Sequence, residues 1–134
     1  MRKYQERVSG PLLDRIDIQV HVKPVPHERL AVRAESETST EAVRGQVLAA
    51  RDVQERRQGG CNAALRGSDL DRLCALHGDT RELLAAAMDR LSLSARAYHR
   101  ILRVARTIAD LEAVERIDSH HIAESIQYRA LEGK

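Results

Sequence analysis

The sequence contains no phenylalanine and no tryptophan, and its 134 residues include only three tyrosines. A core must therefore come from leucine, isoleucine, valine and alanine, side chains that suit helices packed closely on one another. The same scarcity leaves few rings on which unpaired bases could stack, which argues against a single-strand-binding surface. Cysteine is just as sparse. Cys61 and Cys74 are too few for a disulfide framework. With no secretory leader and no apolar run of membrane length, the chain is expected in a reducing cytoplasm. Cys61, Cys74 and His77 have the residue types of a partial zinc site, but structural zinc takes four ligands in tighter pairs, so two ordinary thiols are expected. A dominant sign of charge is missing too. The 22 basic and 20 acidic residues leave a net charge of +2, a mixed surface in place of the basic stripe that would itself point to nucleic acid. Finally, there is no GxxxxGK[ST] phosphate loop and no strand ending in acidic residues to hold magnesium behind one.

What is present divides near residue 37. The stretch GPLLDRIDIQV, residues 10–20, leads into an alternation in which Ile16, Ile18, Val20 and Val22 share one face and Asp17, Gln19, His21 and Lys23 the other. Pro24 and Pro26 end it, because proline cannot donate to a sheet ladder. Residues 27–37 read as a connector. A lone strand cannot satisfy its own backbone, so this segment is expected to be an orphan piece of a sheet that lies elsewhere, disordered or loosely laid on the rest.

From Thr38 the pattern turns helical. Thr38 with Glu41 has the form of a capping box, followed by Val43, Val47, Ala50 and Gln54 at helical spacing and a stop at Gly59-Gly60. A short helix is expected from about Ser68 to His77, ended by Gly78. Asp79 and Glu82 suggest the box of a third helix carrying Leu83, Leu84, Ala87, Met88 and Leu91. Ser94 is expected to cap the longest apolar helix, with Tyr98, Ile101, Leu102, Ala105, Ile108 and Ala109 as its stripe. Asp118 or Ser119 opens the last, with Ile122, Ile126 and Leu131 facing inward. The fold class is therefore all-α, a bundle of about five helices over residues 38–134, preceded by an orphan strand and flexible tail over residues 1–37. His120-His121 has the look of a metal pair, but adjacent helical positions point apart, so a surface pair near the cap is expected and no metal site. Ser94, Tyr98 and His99 lack the third group that would make a nucleophile and base.

Three segments in order, GPLLDRIDIQV, LSLSARAYHRILRVARTIADLE and HHIAESIQYRAL, resemble the magnesium-chelatase-related AAA+ ATPases of bacteria, specifically the competence-type branch. The resemblance runs over nearly the whole chain and covers the C-terminal part of such a protein. It implies a helical lid preceded by the end of an ATPase core, in a homo-oligomeric ring, expected to be a hexamer, whose neighbouring subunits are the partners. It also implies ATP and Mg2+ as cofactors of the full-length protein, with neither tightly bound to this part alone, and no membrane.

In that pattern Arg15 is the arginine finger reaching the neighbouring subunit's γ-phosphate, the catalytic candidate. Arg96 is the sensor-2 arginine, the nucleotide-binding candidate, acting within its own subunit or on the next. A planar guanidinium suits both tasks, since it can bind two phosphate oxygens at once. Judged without the family, Arg15 is a solvated charge or a partner of Asp14 or Asp17, and Arg96 a charge in a helix's first turn. Arg100, Arg103 and Arg106 follow on the same helix, either supporting the site or solvating a face. The implied work of the ring is DNA processing. Insertion of magnesium into a porphyrin is the alternative, and a free-standing nucleic-acid-binding or oligomerisation module is the reading outside the ATPase class.

Overall fold

The computed structural model describes Leu12, residues 15–20 and 22–24, His27 and residues 39–129. Among these, five helices have both ends defined: α1 (Thr40–Gln58), α2 (Gly67–Leu73), α3 (Gly78–Arg90), α4 (Ala95–Leu111) and α5 (Ser119–Gln127), with a 3₁₀ turn at Asn62–Ala64 between the first two. The all-α bundle expected from the sequence is what forms. The long amphipathic α4 is its centre, packing on α5, α1, α2 and the 3₁₀ turn, while α3 packs on α5.

The core follows from α4's spacing. Ala97, Ile101, Leu102, Ala105, Ile108 and Ala109 are buried on its inner face, and Leu65, Leu70, Leu84, Ile117 and Ile122 close over them from the neighbouring elements. Small residues at 97, 105 and 109 let the other helices approach closely, so a core without phenylalanine can still be dense. At its C-terminal end, α4 is tied to α1 by polar groups. Asp110, whose side chain is fully buried, takes both guanidinium nitrogens of Arg57 at 2.6 and 3.0 Å. It also accepts from Arg106 Nε at 3.1 Å and from Asn62 Nδ2 at 2.7 Å. Burial alone would raise the Asp110 pKa, but hydrogen bonds from Arg57 and Asn62 and the charge of Arg106 outweigh it and hold the carboxyl below its ordinary value.

Several boundaries differ from the sequence expectation. Thr38 lies outside the described residues; the α1 cap is Ser39, whose hydroxyl accepts from the Ala42 N–H at 3.1 Å. Val43 and Val47 are 45% and 46% exposed, because burial on α1 is confined to its second half, at Ala50 and Gln54. Gly59 stops the helix as expected, at φ +70°. The expected helix to His77 ends at Leu73 instead. Beyond it an irregular stretch places both Cys74 and Leu76 in the core, two residues apart, which a continuing helix would not. Gly78, at φ +47°, therefore opens α3 and does not close α2. No Asp79–Glu82 box forms; the N-cap is His77, with no side-chain cap, and Thr80 bonds the Ser119 hydroxyl at 3.0 Å. Asp118 does open α5, boxed with His121.

The orphan strand is not a strand among the described residues. Residues 16–20 have no ladder partner, and Ile18, Val20 and Val22 are 49%, 66% and 78% exposed. Residues 15–20 instead lie across α4 and the end of α5, and the rest of the expected tail falls largely outside the described residues. Leu131 also lies outside them.

Candidate functional site

The start of α4 is built to present arginines. Ser94 sits in extended backbone and its hydroxyl accepts the Ala97 N–H at 3.1 Å, fixing the first turn; that bond also accounts for Ser94 without any nucleophilic role. Because Ala97 and Ile101 must face the core, Arg96, His99, Arg100 and Arg103 fall on the opposite face at the i, i+3, i+4, i+7 spacing. With Arg66, from the residue before α2, they line a cavity of about 420 Å³ beside the helix N-terminus. Among the described residues no carboxylate stands in that lining. Burial, followed by the positive charge of Arg66, pushes the Arg103 pKa below its ordinary value, and Asp17 compensates only in part. Guanidinium groups beside a helix N-terminus have the chemistry to suit an anion with several oxygens.

Of the two arginines singled out in the sequence, Arg96 lines this cavity and the side chain of Arg15 does not. The backbone of Arg15 is nonetheless held close by. Its N–H donates to the Leu12 carbonyl at 3.0 Å, closing a turn, and its carbonyl accepts from Arg100 at 2.6 Å. Arg100 also donates to the Asp17 carboxylate. Arg129 donates to the Ile16 carbonyl at 3.2 Å, and the Gln19 N–H to the Tyr128 carbonyl at 2.8 Å.

The four arginines of α4 therefore divide. Arg96 and Arg100 serve the cavity face. Arg103 lines it while its Nε bonds the Leu65 carbonyl at 3.0 Å, and Arg106 is a buried structural residue reaching Asp110 and the Val114 and Glu115 carbonyls. Arg66 was not picked out from the sequence, and His99 was considered only as a base, not as a neighbour of these arginines. The i, i+3, i+4, i+7 spacing from Arg96 to Arg103 was a usable signal for His99; Arg66 comes from a distant loop and gave none.

The histidine pair departs from expectation. The ring of His121 turns back to cap its own helix, so the His120 and His121 rings lie 3.7 Å apart instead of diverging. Both Nε2 atoms meet Glu112 Oε2, at 2.9 and 3.2 Å, and the hydrogen bond from His120, then that from His121, holds the Glu112 carboxyl below its ordinary pKa. Among the described residues this is the one trio with ligand atoms close enough for a metal ion. However, His121 Nδ1 accepts the Asp118 N–H at 2.8 Å, so the neutral ring carries its proton on Nε2, the atom a metal would need. The trio fits closure of the α4–α5 corner. Cys61, Cys74 and His77 do not converge; both thiols are free, and burial pushes that of Cys74 up to about 11.

Comparison with known proteins matches residues 37–129 to the family described as magnesium chelatase, subunit ChlI C-terminal, and residues 1–30 to magnesium chelatase, subunit ChlI. Competence protein ComM of Haemophilus influenzae is 40% identical over 129 residues, 96% of this chain and 25% of that protein. The uncharacterized protein YifB of Salmonella typhimurium is 39% identical over 130 residues, 97% of this chain and 26% of its own length. YifB of Escherichia coli is 35% identical over the same length. The chain thus spans about a quarter of the length of the curated relatives it matches.

Proposed function

The chain belongs to the magnesium chelatase family, and on that premise we propose that it forms the nucleotide-sensing lid of an AAA+ ATPase together with the finger-bearing end of the ATPase core. Residues 38–134 are the lid and residues 1–37 the end of the core. Arg96 binds a phosphate oxygen of ATP from the first turn of α4. Arg15 completes the site of a neighbouring subunit in a ring, stabilising the charge that spreads over the γ-phosphate oxygens during transfer. The cavity lining fits the ATP phosphates and not Mg2+, since the described residues there offer guanidinium and imidazole groups and no carboxylate. The metal ligands and the phosphate cradle belong to other parts of the ATPase, and this part alone is inactive. We place the ring's work in DNA processing, after the competence-type wording of SGPLLDRIDI; magnesium insertion into a porphyrin is the alternative carried by the family's name.

The observation that carries this reading is the position of Arg96, second residue of a capped helix, among Arg66, Arg100 and Arg103 around one cavity. The test is ATP turnover by the longer polypeptide. Arg15→Ala is expected to lower turnover by about 10³-fold or more. Arg96→Ala is expected to weaken ATP binding by about 10- to 100-fold, the worth of a hydrogen bond to a charged group. Wild-type kinetics in both variants would remove the assignment. The same row of guanidinium groups also suits nucleic-acid phosphates. Tight DNA binding by this chain alone, falling steeply with salt, would favour that second reading.

A further inference from the structure

Arg96 and Arg100 lie one turn apart on the same face of α4, and Arg100 is engaged on two sides. It lines the basic cavity with Arg66, Arg96 and Arg103, and it also holds the Arg15 carbonyl and the Asp17 carboxylate. The segment is also tied to the bundle by the Gln19–Tyr128 and Arg129–Ile16 hydrogen bonds, while its Ile16, Ile18 and Val20 side chains are 41%, 49% and 66% exposed. The Asp17 side chain is 56% exposed, so its ion pair is weak. Arg100 holds both acceptors through one terminal nitrogen, Nη1, and a phosphate entering the cavity competes with the Asp17 carboxylate for the charge of that guanidinium.

We propose that Arg100 is a positioning residue: it seats the Arg15 segment on the lid through Asp17, and a polyphosphate entering the cavity competes for it and loosens that segment. This rests on the reading of Arg15 and Arg96 as parts of nucleotide sites, and adds a physical link between them. Occupancy sensed beside Arg96 changes the freedom of the segment carrying Arg15. Linkage makes the relation reciprocal. If phosphate must displace Asp17 from Arg100, removing the Asp17 charge tightens phosphate binding. For an exposed ion pair the gain is about two- to fivefold.

The experiment uses this 134-residue chain with inorganic triphosphate as the probe, at fixed ionic strength, following triphosphate affinity and amide exchange at Gln19. Saturating triphosphate is expected to speed Gln19 exchange several-fold. Arg100→Ala is expected to give that fast exchange without triphosphate, and Asp17→Asn to tighten triphosphate binding by about two- to fivefold. Asp17→Asn changes an exposed side chain and keeps Arg100, so it decides the matter even if Arg100→Ala does not fold. Triphosphate that binds without altering Gln19 exchange, and equally well to Asp17→Asn, overturns the link and leaves the nucleotide reading standing. No triphosphate binding, with the segment freed by Arg100→Ala all the same, overturns the competition and the role of Arg96 together.

Discussion

Arg103 and Arg106 sit three residues apart on α4, yet one borders a cavity and the other is almost wholly buried against Asp110. What separates them is the company each keeps. Arg106 and Arg57 share one carboxylate, and among the described residues neither pairs with a second acid. Asp110→Ala would leave two guanidinium groups without their shared carboxylate in a largely desolvated place, and is expected to cost about 3–5 kcal/mol in urea denaturation. The pH dependence has a definite sign. Asp110 is held below its ordinary value of 3.8, so its contribution is complete above that value and is lost as pH falls through the lower folded-state value. The urea midpoint is expected to decline from about pH 4 downward, and Asp110→Asn to flatten that part of the decline. A wild-type stability for Asp110→Ala would remove this network from the account of the fold.

At the scale of the element, α4 carries both the core and the site, and its two faces were legible to different degrees. The apolar stripe from Ile101 to Ala109 and the Ser94 cap follow from spacing and residue type, and both stand where the periodicity placed them. The end of α2 was not legible. Gly78 serves to open a helix as well as to close one, and only the burial of Cys74 and Leu76 together decides which. The histidine pair was misjudged because a side chain in a first turn can fold back to cap, which the spacing rule for helix faces does not include. On the basic face, Arg96 came from a motif, whereas Arg66 entered through tertiary packing. Since Ser94 fixes the turn that carries Arg96, Ser94→Ala is expected to lower stability by about 1 kcal/mol and weaken triphosphate binding as well. A stability loss with unchanged triphosphate affinity would separate the cap from the site.

For the whole molecule, a net charge of +2 conceals an uneven distribution: four arginines border one cavity whose lining, among the described residues, has no acid. The segment carrying Arg15 rests on the helices through hydrogen bonds to Arg100, Tyr128 and Arg129, with Ile16, Ile18 and Val20 exposed. Both features suit the proposed role, in which the cavity shares a nucleotide with surfaces elsewhere in an ATPase ring. The most direct test mixes two inactive forms of the longer polypeptide, one carrying Arg15→Ala and the other lacking its phosphate cradle. If Arg15 acts across a subunit boundary, mixed assemblies regain ATP turnover wherever an intact cradle faces an intact Arg15. Turnover in the mixture that stays at the level of the two separate preparations would contradict the account.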